Sequence, residues 1–200
     1  MTMLDKVIAA VSPTESPQAR QTARSRALQM SGSDDWLSTV LAQHLSIERA
    51  FEAAMAAPSP EGRHTARRKL GELLTAHTMA EEAAIYPALA RAGEKSHASK
   101  AFSEQADAKL AFGLLEALDP MSQEYIEKLE ELDKAVRHHV YEEEGKWFID
   151  LKQRLPQTDQ DRLTQRFHDE YSRYKPTNDA ATEQVGGLIA AAKLQTHSSH

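Results

Sequence analysis

His77-Thr-Met-Ala-Glu81-Glu82-Ala-Ala-Ile-Tyr86 and His139-Val-Tyr-Glu-Glu143-Glu144-Gly-Lys-Trp-Phe148 are two copies of one pattern. In each, a histidine is followed at i+4 by a glutamate, at i+5 by a second glutamate and at i+9 by an aromatic residue. Residues i and i+4 lie on one face of an α-helix, one turn apart. Each copy therefore aims an imidazole and a carboxylate at the same point. Two such helices face to face would bring two His and two Glu together, enough to hold a metal ion or a pair of ions.

The duplication reaches upstream. His44-Leu-Ser-Ile-Glu48-Arg-Ala-Phe51 begins 33 residues before His77, and Gln105-Ala-Asp-Ala-Lys109-Leu-Ala-Phe112 begins 34 residues before His139. The chain thus reads as two helix pairs of the same layout. The repeat also sets a register. His138 and Glu142 are spaced like His139 and Glu143, but only the latter pair aligns with His77, Glu81 and the aromatic that follows. His139 is expected to face inward, with His138 flanking.

The chain is rich in Ala, Leu, Glu, Gln and Lys, which favours an all-α fold. The first long helix is expected from about Asp35 to Ala56, with Ser33 or Asp34 as its cap, and Pro58-Ser-Pro60 ends it. The second runs from about Glu61 to Ala90, with a kink at Pro87; the third from Ser96 to Leu118; the fourth from Ser122 to Arg154. Four such helices with short loops imply an up-down-up-down four-helix bundle over residues 33–155. Residues 1–32 read as an N-terminal helical extension and 156–200 as a C-terminal one. The latter has a fifth helix over 159–175, a weak Ala-rich helix over 179–194, and a polar, mobile tail.

Composition removes several classes. With no cysteine, disulfides, thiolate zinc sites, iron–sulfur clusters and a thiol nucleophile are excluded. A net charge of −6 argues against a nucleic-acid partner, and the Arg63, Arg67, Arg68, Lys69 cluster reads as a solvated helix face. No run of about 18 apolar residues is present, so no membrane span is expected. The first residues lack a secretory signal pattern, which gives a cytoplasmic expectation.

Each polar residue on an inward stripe must find a partner, because burying it alone costs several kcal/mol. His44, His77, Glu81, His139 and Glu143 fall at mid-height on three of the four helices and would form one layer. Imidazole with carboxylate suits iron, manganese or zinc. The competing reading is a metal-free His–Glu network that only sets helix register.

These motifs and their layout resemble the hemerythrin-like proteins of the HHE cation-binding family over about residues 35–152. The resemblance implies a non-haem centre of two carboxylate-bridged iron ions, with zinc or manganese as alternatives. It implies His44 from the first helix, His77 and Glu81 from the second, and His139 and Glu143 from the fourth as ligands. Its small partners would be a diatomic gas or peroxide; the protein partner is unspecified. Handling or sensing of iron, oxygen, peroxide or nitric oxide follows, with a catalase-like or nitric-oxide-reducing enzyme as the alternative. The ferritin-like signature Glu-x-x-His is absent from the inward faces.

The third helix departs from the family. Where a histidine is implied it carries Gln105, and Lys109 lies a turn later. Gln105 and Lys109 are expected to line the site. By the repeat Lys109 corresponds to Glu48, which would either pair with it across the bundle or replace the missing ligand. A carboxylate-rich site of this kind favours the ferric state and disfavours reversible oxygen carriage.

Overall fold

The computed structural model describes residues 15–175, all of whose regular elements are helical. The first fourteen residues of the expected N-terminal extension, the Ala-rich helix over 179–194 and the tail lie outside the described residues. Helix α1 covers Pro17–Met30, α2 Trp36–Ala56 and α3 Pro60–Ala80. A π-helical turn, Glu81–Ile85, carries α3 into α4, Tyr86–Arg91. Helix α5 covers Lys95–Leu115 and α6 Gln123–Glu142; a second π turn, Glu143–Trp147, carries α6 into α7, Phe148–Arg154. Helix α8 covers Gln157–Tyr174. No described helix is long and apolar enough to cross a membrane.

Side chains fix where the helices begin. Asp35, rather than Ser33 or Asp34, caps α2: its Oδ1 accepts from the Ser38 N–H at 2.8 Å. Asp34 sits at φ 56° and serves the turn instead. Ser59 Oγ accepts from the Gly62 N–H at 3.1 Å, and Pro60 occupies the first turn of α3. Ser122 Oγ does the same for α6 through the Tyr125 N–H at 3.1 Å. Gly93 (φ 96°) makes the turn from α4 to α5, a conformation that L side chains rarely adopt. Two of the clustered arginines are not merely solvated. Arg63 donates to the Pro120 carbonyl at 2.6 Å and Arg67 to the Leu115 carbonyl at 3.3 Å, tying down the α5–α6 connection.

Neighbour contacts run α2 to α3, α4 to α5, α5 to α6, and α6 back to α2, closing a ring. Two large apolar clusters fill the interior of the described residues. One gathers Trp36, Leu41, Ile85, Tyr86, Leu89, Phe148 and Phe167; the other gathers Ile47, Phe51, Leu70, Tyr125, Leu129 and Leu132. Their buried surface supplies the main folding drive. Helix α8 lays Leu163, Phe167 and Tyr171 on the first cluster, while Tyr174 stays exposed. Between the clusters lies a polar layer.

The π turns were not expected from the sequence. Both begin on the repeated glutamate, so they are part of the duplicated unit. Pro87 follows only one of them, so it is not their common cause. In each the backbone closes i to i+5: the Tyr86 N–H bonds to the Glu81 carbonyl, and the Phe148 N–H to that of Glu143. Such turns swing the following residues relative to an ideal helix and recur at functional sites.

Candidate metal centre

His44 stands on α2, His77 on α3, Glu81 at the first π turn, His139 on α6 and Glu143 at the second. All five are buried, the two glutamates completely. His77 Nε2 lies 3.2 Å from Glu81 Oε2, and His139 Nε2 3.2 Å from Glu143 Oε1, as the i, i+4 spacing dictates. His44 Nε2 lies 3.3 Å from Glu143 Oε2 and 3.8 Å from Glu81 Oε1. The imidazoles of His44 and His77 meet edge to face at 4.9 Å. His138 points away and bonds Glu15 at 3.0 Å.

The ring nitrogens divide cleanly. Each Nε2 faces the centre, and each Nδ1 is held from outside. Gln43 Oε1 lies 3.0 Å from His77 Nδ1, Glu104 Oε2 2.8 Å from His139 Nδ1, and Glu144 Oε1 2.9 Å from His44 Nδ1. An acceptor on Nδ1 keeps the proton there and leaves the Nε2 lone pair directed inward, the arrangement found around metal-binding imidazoles. Gln43 and Glu104 are equivalent in the repeat. Each precedes the first-helix position by one residue, a signal that was available in the sequence and not used.

Tyr86 is a further site residue that sequence reading took only as a motif aromatic. Its hydroxyl lies 3.0 Å from Glu81 Oε2, 2.9 Å from Glu143 Oε1 and 3.0 Å from His139 Nε2. The π turn explains this, since closure at i+5 brings Tyr86 back over Glu81. Its repeat partner Phe148 has no hydroxyl and stacks on His44 at 6.3 Å. Gln105, also buried, donates from Nε2 to Glu81 at 2.6 Å and to the Tyr86 oxygen.

Two expectations are corrected. Lys109 does not line the site: it is exposed and pairs with Glu82 at 2.6 Å. Glu48 neither meets Lys109 nor reaches the centre. It is bound by Arg24 of α1 at 2.7 Å, and the same guanidinium holds Glu144 at 3.0 Å. The repeat explains both. Glu48 and Lys109 occupy the same outer position, where each belongs to the network of the second glutamate of a Glu-Glu pair. Long side chains on the flank reach outward, where a charge keeps its hydration at least cost. Through Arg24 and Glu144, α1 braces His44.

The centre holds more acceptors than donors. Three Nε2 lone pairs and four carboxylate oxygens converge on one hydroxyl proton and one amide group. His44 Nε2, Glu81 Oε1 and Glu143 Oε2 are buried and make no hydrogen bond. Uncompensated acceptors in a core are costly. One ligand atom from each of His44, His77, Glu81 and Glu143 falls within 4.8 Å of the others, so a cation would satisfy all of them. The residues present therefore fit a metal.

Without metal, protons take that role. Burial opposes charge on His139, but Glu143 and the Glu104 hydrogen bond outweigh it and raise its pKa to about 10. His44 is likewise raised, against burial, by Glu143, Glu144 and Glu81. Burial and then repulsion from Glu143 push Glu81 up to about 7, whereas Glu143 is lowered, against burial, mainly by His139. Burial and then the His44 charge lower His77, which stays neutral. The sign follows. The His139 contribution is complete below its unfolded value of 6.5 and lost as pH rises through about 10; that of protonated Glu81 is complete below 4.5 and lost through about 7. Neutral His77 gives the opposite slope below 6.5 and offsets Glu81 there, so the metal-free protein is expected to melt at progressively lower temperature as pH rises from about 6.5 to about 10, and bound metal, which displaces those protons, should stabilise it increasingly over that range. Thermal melts with and without metal across this window check both; a metal-induced shift that shrinks with pH would contradict the assignment.

Comparison with known proteins gives one match. The hemerythrin HHE cation-binding domain model matches residues 37–149, more than half of the chain, and the protein belongs to that family. No curated protein and no solved structure matches it.

Proposed function

We propose that the four long helices form an up-down-up-down bundle of hemerythrin type, and that its polar layer holds a non-haem iron centre of two ions. His44, His77 and His139 would serve as nitrogen ligands and Glu81 and Glu143 as carboxylate ligands or bridges. The observation that carries this reading is the surplus of buried acceptors converging on one point, each imidazole oriented by an outer partner. Iron in such a site supplies one-electron chemistry with oxygen, peroxide or nitric oxide, and we assign the protein to handling or sensing one of these. Metal analysis and the visible spectrum of aerobically purified protein test it. Stoichiometric iron with a visible absorption is expected; protein that stays metal-free after iron loading returns the layer to a structural network.

A specific observation supports an enzymatic variant. Gln105 replaces an imidazole with a weaker neutral amide, and a cavity of about 80 Å³ touches Gln105, His77 and His139. A small ligand has room on that side. The residues there also manage protons: Tyr86 holds one on its hydroxyl between the two carboxylates, and Gln105 orients that hydroxyl. Replacing Gln105→His is expected to tighten iron binding by about tenfold, since imidazole suits iron better than an amide oxygen, and to slow peroxide decay. Iron titration and peroxide consumption compared in the two proteins check this. Unchanged values in both would remove the open position on this side.

A further inference from the structure

The sequence contains a second His-x-x-x-Glu in a register one residue earlier, and it also forms a cluster. His138, Glu142 and Glu104 each place a ligand atom within 4.8 Å of the others, on the outer surface beside the buried centre. His138 repeats the pattern of the inner imidazoles. Its Nδ1 is held by Glu15 Oε2 at 3.0 Å, and its Nε2 lies 3.8 Å from Glu142 Oε2. The Glu15 side chain is only 2% exposed, and its Oε1 makes no hydrogen bond. A cation already sits in the cluster: the Lys100 ammonium is bound by Glu142 and lies 3.5 Å from Glu104 Oε1. That lysine is 44% exposed and also lies 5.7 Å from the centroid of the Trp147 ring.

Two features join this cluster to the centre. Glu104 belongs to both, since its Oε2 supports His139 Nδ1 at 2.8 Å. The 80 Å³ cavity has a mostly apolar wall, with Leu74, Leu132, Val136 and Val140 in it, and Glu104, His138, His77, Gln105 and His139 are among the polar residues that line it. Liquid water takes about 30 Å³ per molecule, so the cavity has the volume of two or three waters. Gln105 is 3% exposed and lines this cavity, and its Oε1 has no hydrogen-bond partner.

We propose that His138, Glu142 and Glu104 form a capture site for ferrous iron, from which the ion passes through this cavity, by way of Glu104 and the Gln105 oxygen, to the buried centre. Lys100 holds the capture site closed until a divalent cation displaces it. This rests on the centre being a metal site, and it concerns loading rather than final occupancy. An oxygen- and imidazole-bearing cluster at the surface suits a transient ion, because three ligands hold it less firmly than the inner set.

The test is the rate at which metal-free full-length protein takes up ferrous iron under anaerobic conditions. Samples are quenched with a ferrous chelator at intervals, and the protected iron is counted. The double variant His138→Ala with Glu142→Gln is expected to load about tenfold more slowly, since local charge of this kind changes association rates by about ten- to a thousandfold, and to reach the same final iron content. Lys100→Met is expected to load several-fold faster, a gain that a variant with damaged folding would not show. Wild-type loading rates in the double variant, or an unchanged or slower rate in Lys100→Met, would overturn the proposal. A lowered final iron content in the double variant would also overturn it, by making these residues part of the centre itself. If wild-type protein protects no iron at all, the metal reading of the centre fails first and the capture site with it.

Discussion

The double variant His77→Ala with His139→Ala is expected to lose stoichiometric iron altogether. Each histidine supplies an inward Nε2 opposite the carboxylate one turn on, at 3.2 Å in both copies of the motif. Loss of an outer partner of a ligating histidine alone costs about 10–100-fold in metal affinity. Removing two imidazoles outright should therefore exceed about a thousandfold, beyond what purification retains. The layer would keep His44 and two carboxylates, with too few neutral donors to offset the repulsion between Glu81 and Glu143. Metal analysis after iron loading, with circular dichroism to confirm that the helices remain, decides the matter. A folded double variant that retains its full iron content would falsify the assignment of these ligands.

The depth to which the sequence could be read follows from the period of its motifs. Where the backbone is an ideal α-helix, the i, i+4 rule placed residues well: His44 shares its inward face with Leu41, Ile47 and Phe51, and Ser122 opens its helix as a cap should. The duplication also separated His139 from His138, which a single helix could not do, because adjacent residues both have a glutamate at i+4. The rule lapses in the π turns. Tyr86 is nine residues from His77 and five from Glu81, and only an i to i+5 closure returns its hydroxyl to the centre. Nothing in composition announces such a turn.

The flank was misread for a different reason. A helical face is about one side chain wide, so Lys109 and Glu48, one turn from Gln105 and His44, were placed inside when they lie at its edge. What fills the edge is set by other helices. Arg24 is far away in sequence, on a helix whose pattern is hardly amphipathic, yet it joins Glu48 to Glu144 and so reaches His44. Couplings of that sort depend on packing between segments, and no local period encodes them. Phe102 belongs here too: it is 41% exposed and still covers the Tyr86 ring edge-on at 5.2 Å.

Tyr86→Phe is expected to change the iron-bound spectrum more than any other single substitution. The phenol oxygen stands between Glu81 and Glu143, 3.0 and 2.9 Å from them, where a ligand atom would have to stand. Burial, then Glu143 and Glu81, raise its pKa well above the usual value, so the metal-free protein keeps the proton. A ferric ion held by these residues would reverse the balance, because a nearby multivalent cation favours the anionic oxygen. The phenolate would then ligate and give the ferric protein a visible charge-transfer absorption. Phenylalanine removes that absorption while fitting the same space: its repeat counterpart is already Phe148, buried against His44. In the metal-free state the loss is of a different kind. The two carboxylates lose a shared donor, which at about 1–3 kcal/mol for a buried unsatisfied group should lower the melting temperature measurably. The two effects separate the roles of the hydroxyl. A lower melting temperature with an unchanged ferric spectrum would leave Tyr86 as a hydrogen-bond donor only and confine the ligands to the three histidines and two glutamates.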